Sequence, residues 1–254
     1  MKVDQVINCS FDKWYPLFKN LTIKSEIIEL DKDFISYLSS DSTIILPKKC
    51  QEELDQSMKK NQEASDTFDE IDEDDDWNDE INDDSKTYPE FDVFDKKVLE
   101  AMNKMNNKIF IKLNWSSPKD AHWALNKLSC QCLSDVYILL KSSDFITHDL
   151  IEPFNDCDDL NENEEKIKNL KYVLVVREWL SINPSMEFRC FIRNNKLIGV
   201  TQRDCRTFYK ILLDNKSDIL DRIKYFYETK LNGNFLDDSY TVDLALGKVC
   251  SFIY

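Results

Sequence analysis

Glycine is almost missing from this chain: Gly199, Gly233 and Gly247 are all it has in 254 residues. A G-x-x-x-x-G-K-[ST] phosphate loop needs two glycines at fixed spacing, and a G-x-G-x-x-G dinucleotide turn needs three, so neither is present. Any nucleotide must then be held by side chains and metal rather than by a glycine cradle. Histidine is scarcer still, with His122 and His148 alone. A histidine-based catalytic triad would have to use one of them. His122 is expected to be structural, on a helix beside Trp123 and Leu125, and His148 to be exposed. Eight cysteines include no C-x-x-C pair, which argues against zinc. Their sparse spacing is unlike a secreted disulfide scaffold, so they read as free thiols in a reducing compartment. No run of 18 apolar residues occurs, so no membrane span is expected. Residues 1–10 mix Lys2 and Asp4 with scattered apolar side chains and lack the apolar region of a signal peptide. A clustered basic face is also missing, which argues against nucleic-acid binding.

What is present in excess is acid. The net charge is −15, and residues 66–84 carry twelve acidic side chains with no basic one, so the remainder is close to balanced. Charge repulsion and low apolar content there cannot offset the entropy of ordering, so residues 55–86 are expected to form a disordered acidic insert within one domain. Phe68, Ile71, Trp77 and Ile81 would be its apolar anchors if it docked on a partner.

Around the insert the pattern is that of a mixed α and β chain. Phe94, Val98, Met102 and Met105 recur at helical spacing. Residues 109–113 and 172–176 read as strands, the second β-branched enough to be fully buried. Ser117-Pro118 predicts a helix start, with the helix continuing to about residue 128. Ser134 and Ser217 are expected to cap two more helices. Residues 43–46, 187–192, 196–202 and 240–246 read as further strands, with Arg193-Asn194-Asn195 turning a hairpin.

Several of these strands carry charge. Lys112 ends one apolar strand, and Arg177 and Glu178 end another just before Trp179. Glu187 and Arg189 alternate with Phe188 and Cys190, Arg203 follows the next strand, and Asp243 interrupts the last. Each alone is commonly a sheet-edge charge. Together they suit an anionic ligand, with lysine and arginines for phosphate oxygens and an acid for magnesium.

Six blocks, in order, resemble the signatures of the cell division cycle protein 123 family. They are Trp14-Tyr15-Pro16, Thr22-Ile23-Lys24-Ser25, Lys112-Leu113-Asn114-Trp115-Ser116-Ser117-Pro118-Lys119-Asp120-Ala121, Leu140-Lys141-Ser142-Ser143-Asp144-Phe145-Ile146-Thr147, Glu187-Phe188-Arg189-Cys190-Phe191 and Gln202-Arg203-Asp204. The resemblance runs from Cys9 to about Val249, with an acidic insert where the family has one. It implies a single α+β domain over residues 1–254, ATP-grasp-like and two-lobed, with mostly antiparallel sheets and ATP between the lobes. The implied role is that of a cytoplasmic, monomeric, non-catalytic assembly chaperone. It would bind the γ subunit of translation initiation factor 2 and promote its joining to the other subunits. A ligase-type ATP-grasp enzyme and a nucleotide-free interaction module remain as alternatives.

Carried over by position, the resemblance implies nucleotide contacts from Lys112, Asn114, Ser117, Asp120, Arg177, Glu178, Trp179, Glu187, Arg189 and Arg203. Residues 177–179 would form the adenine-side hinge. Asp243 would be a magnesium ligand. The sequence departs from the family at its end. Gly247-Lys248-Val249-Cys250-Ser251-Phe252-Ile253-Tyr254 stands where relatives carry an Asp-Phe-Asn-Pro block with two more metal ligands, so an incomplete fold and weakened Mg-ATP binding are expected.

Overall fold

The computed structural model describes residues 1–40, 44–65, 88–247 and 251–253. Helices α1 (Val3–Asn8) and α2 (Phe11–Phe18) lead into strand β1 (Ser25–Glu29), then α3 (Lys32–Ser39), α4 (Lys48–Ser65) and α5 (Asp92–Asn103). Strand β2 (Ile109–Lys112), the single turn α6 (His122–Leu125), β3 (Ser129–Cys130), α7 (Leu133–Lys141), α8 (Asp144–Ile151), α9 (Glu164–Lys168) and β4 (Val173–Glu178) complete the first half. The second half is β5 (Glu187–Arg193), β6 (Lys196–Gln202), α10 (Lys210–Asp214), α11 (Lys216–Phe226), β7 (Tyr240–Leu246) and β8 (Ser251–Ile253).

The strands form two four-stranded sheets, ordered β1-β4-β2-β3 and β6-β5-β7-β8, and every pairing within them is antiparallel. The α+β class and the preference for antiparallel strands are therefore as the sequence implies. The β-branched run of β4 is buried throughout because it is central and covered on both faces. One face sends Leu174 and Val176, with Ile109, Ile111 and Ile28, into the main core against Phe34, Phe94, Val98, Met102 and Tyr137 of α3, α5 and α7. The opposite face sends Val173 and Val175 against Phe11 and Tyr15 of α2. In the second sheet Phe188, Cys190, Ile192 and Leu244 pack on Ile219, Ile223 and Phe226 of α11.

Helix α2 joins the two halves. Phe11 and Tyr15 cover the first sheet, Phe18 belongs to the core of the second, and Trp14 packs against both. A second link is Thr22, whose hydroxyl donates to the carbonyl of Ile253 at 2.7 Å while accepting from Arg177 Nη2 at 3.2 Å.

Some local expectations change. No helix starts at Ser117. The Leu113 N–H donates to the Ser116 carbonyl, and the Trp115 and Ser116 amides both donate to the buried Asp149 carboxylate, which folds 113–121 into a compact loop. Helix is confined to α6, which ends at Asn126 with φ of 51°. His122 on that turn is exposed rather than structural, and His148 is exposed as expected. Residues 44–46 are irregular, not a strand, and 43 lies outside the described residues. Cys132 and Asn215, each two residues ahead of the expected serine, occupy the N-caps of α7 and α11. Helix α4 overlaps the expected acidic insert over residues 55–65, and residues 66–87 lie outside the described ones.

Candidate functional site

Antiparallel register decides which charges meet. In the first sheet Lys112 stands opposite Val175, and Phe110 opposite Arg177. Side chains alternate along a strand, so Lys112 and Arg177 project from the α2-covered face, on either side of Phe11. The Lys112 ammonium lies 5.5 Å from the Phe11 ring centroid and the Arg177 guanidinium 5.3 Å from it, both within cation–π range. Among the described residues no hydrogen bond or ion pair reaches Lys112 Nζ. Its surroundings are desolvated and Arg177 is close, and these two causes in that order bring its pKa from 10.5 down to about 7. Arg177 is only 6% exposed, and among the described residues its Nε has no hydrogen-bond partner. Burial brings even this guanidinium down to about 10.

In the second sheet Arg189 on β5 is the direct cross-strand neighbour of Asp243 on β7. The pair is bidentate: Nε donates to Oδ1 at 2.7 Å and Nη2 to Oδ2 at 2.8 Å. Arg203 brings its Nε to 3.0 Å from the same Oδ2, a charge contact without hydrogen-bond alignment. Glu187 stands two positions before Arg189 on the same face of β5. Lys119, exposed on the 113–121 loop, has its pKa lowered by partial desolvation first and then by Arg203, with Arg189 contributing further, so its amine belongs to this cluster.

The two groups meet in a cavity of about 400 Å³ between α2, the end of β2 and the β5–β7 pair, lined by Lys112, Arg189, Thr241 and Asp243 and walled by Trp14 and Trp115. Lys112 and Arg189 thus reach the cavity beside Asp243, with Arg203 on the same carboxylate, Lys119 close to the arginines and Arg177 behind Lys112 across Phe11, in a chain whose net charge is −15. Such an arrangement can attract an anion.

The other expected contacts lie elsewhere. Asn114 is fully buried. Its amide donates to Ser10 Oγ and to the Lys171 carbonyl, and its carbonyl accepts from the Val173 N–H, tying α2 to the first sheet. Asp120 accepts from Ser143 Oγ and the Phe145 N–H at the start of α8. Ser117 offers its backbone carbonyl to the Lys119 N–H. Glu178 ends β4, where its N–H donates to the Lys24 carbonyl. Trp179 donates its N–H to the Lys108 carbonyl and stacks its ring near Phe110 and the Lys108 ammonium. From Leu180 the chain crosses to the second sheet, beside a separate, mostly apolar cavity of about 570 Å³ that includes Ile182, Met186 and Leu246.

Lys119 and the aromatic walls were not singled out by sequence. The signal was available for Lys119, a cation two residues past Ser117 in the loop after β2. None was available for Trp14, whose place depends on how α2 lies. For a divalent metal the fit is limited. Among the described residues no group of three histidine, cysteine or acidic side chains converges, and both Asp243 oxygens already face arginines. Asp243 would serve as one carboxylate for a magnesium ion arriving with phosphates, which suits the way that ion is usually held.

A family model described as D123 matches residues 14–251. Two relatives, each a translation initiation factor eIF2 assembly protein, come from Xenopus tropicalis and Xenopus laevis. They are 40% and 41% identical over 246 residues, which is 96% of this chain and 70% of each relative. One of the same name from Dictyostelium discoideum is 39% identical over 94% of this chain and 68% of its own. The solved structure of Cdc123 from Schizosaccharomyces pombe superposes with a TM-score of 0.76 at 28% identity, covering 100% of this chain and 84% of that one.

Proposed function

This chain belongs to the D123 family, and from that premise we propose that it is an ATP-binding assembly chaperone for translation initiation factor eIF2, acting in the cytoplasm by engaging the γ subunit. The observation that supports the nucleotide part is that Lys112, Arg189 and Asp243 line one inter-sheet cavity, with Arg203 on the same carboxylate and Lys119 close by. Phosphate oxygens satisfy such a cluster, and guanidinium forks match them in shape as well as charge. Lys112 offers an amine to which, among the described residues, no hydrogen bond or ion pair is made. Magnesium would enter as the nucleotide's companion, with Asp243 as its protein ligand. The assembly role rests on the relatives, whose names describe it.

The test has two parts. Calorimetric titration of the full chain with ATP, with and without magnesium, should show saturable binding that Lys112→Ala weakens by roughly tenfold or more, the worth of one charge-assisted contact. A pull-down with the isolated γ subunit should retain this chain. Saturable ATP binding without γ capture would leave a nucleotide-binding protein of another role. Capture without ATP binding would leave an interaction module.

A further inference from the structure

We infer that Asp243 is a built-in stand-in for the ligand's negative charge: it holds Arg189 at the cavity with Arg203 beside it, and must surrender Arg189 when a polyphosphate arrives. This deepens the nucleotide reading and rests on it. The bidentate pair uses both carboxylate oxygens of Asp243 and two of the Arg189 nitrogens, at 2.7 and 2.8 Å. In that state the arginine fork that would grip a phosphate is spent on the protein itself. The carboxylate, in turn, presents no open edge to a cation.

The geometry allows an exchange. The Arg189 side chain is 38% exposed and that of Asp243 18%, so the arginine has room to turn while the shorter aspartate, fixed on central strand β7, does not. Arg203 already touches Oδ2 without a directed hydrogen bond, which positions it to take over Asp243 when Arg189 leaves. Holding Arg189 and Arg203 near Lys112 and Lys119 would otherwise require ordering four like charges close together. A carboxylate in their midst keeps them placed before the ligand is there, so binding an anion becomes a swap of one acceptor for another rather than the assembly of a site. The cost is that the protein's own acceptor competes with the ligand.

The competition gives an unusual expectation. Removing the negative charge of Asp243 should tighten the binding of a metal-free polyanion, because Arg189 loses the carboxylate that holds its fork and a repulsive charge is lost. The experiment titrates wild type and Asp243→Asn with inorganic tripolyphosphate and with ATP in EDTA. The variant should bind both roughly two- to fivefold more tightly, about the worth of one part-exposed ion pair.

Since Asp243→Asn could perturb folding, the exchange is also read on the wild-type chain. In protein labelled with 15N-arginine, the Arg189 Nε–H resonance, assigned from Arg189→Lys, should shift as tripolyphosphate saturates the site. Wild-type binding with an unmoved Arg189 resonance, or a folded variant that binds no more tightly than wild type, overturns the inference while leaving the nucleotide reading standing. Failure of wild type to bind either anion at millimolar concentration overturns both.

Discussion

Lys112 and Arg177 share the ring of Phe11, their charged groups lying 5.5 and 5.3 Å from its centroid. Two cations brought to one aromatic side chain on a desolvated sheet face repel each other, and the ring only partly offsets that repulsion. Of the two, Lys112 also lines the inter-sheet cavity, where an anion would relieve that repulsion.

Stability should register this. The Lys112 amine titrates near 7 instead of 10.5. Between those values the unfolded chain holds a proton that the folded chain has released, so Lys112 makes stability rise as pH rises from about 7 to about 10.5. Below 7 the folded protein carries the full penalty of a buried ammonium. Lys112→Met should therefore melt a few degrees higher than wild type at pH 6.5, with the gap closing by pH 10. Thermal melts of both proteins at three pH values check this, and a variant that melts lower throughout would mean that the amine stabilises the fold.

Anion affinity should move the opposite way. Only the ammonium form of Lys112 attracts phosphate, so ATP binding should weaken as pH climbs through 7, and Lys112→Met should flatten that dependence. Calorimetry between pH 6 and 8.5 measures it. An unchanged slope in the variant would place the titrating group elsewhere.

Asn114 should behave as a structural residue. Its substitution by alanine takes their partner from the buried Val173 N–H and the Lys171 carbonyl and leaves the Ser10 hydroxyl with Asp12 alone. A loss of about 2–4 kcal/mol is expected from such unsatisfied groups, with ATP affinity of the folded fraction unchanged. Chemical denaturation together with binding at low temperature separates the two effects.

Lys119 should be its converse. It is exposed, so Lys119→Ala should leave the melting temperature within about a degree, in the range of ordinary surface substitutions. The same change should weaken ATP binding by roughly three- to tenfold through loss of one cation from the cluster. Wild-type affinity in this variant would remove Lys119 from the site.

Features set by local chemistry were legible in the sequence. The β5–β6 turn was, because Asn194 and Asn195 tolerate the positive φ of 50° and 53° that a tight hairpin requires. Strand β7 was, and so was the inward stripe of α5 at Phe94, Val98 and Met102. The charges on strands were visible as oddities, but their company was not. Arg189 meets Asp243 only through the register of two strands about fifty residues apart in sequence, which no local pattern encodes. The loop after β2 misled for a related reason. Ser117-Pro118 offers good helix-start chemistry, but Asp149, more than thirty residues later, captures the amides of Trp115 and Ser116 and bends the chain into a loop first.

The pairing of β1 with β4 has a consequence for how the protein comes into being. Ser25 needs Arg177 opposite it, and the Thr22 hydroxyl needs a carbonyl 231 positions later. During synthesis the N-terminal strand leaves the ribosome long before either partner exists, and its Ile27 and Ile28 have no sheet to enter until β4 follows. A chain with such distant pairings folds slowly and late, after most of it has been made. For much of its own synthesis, then, a protein proposed to assist assembly would itself present the unpaired edge that folding helpers recognise.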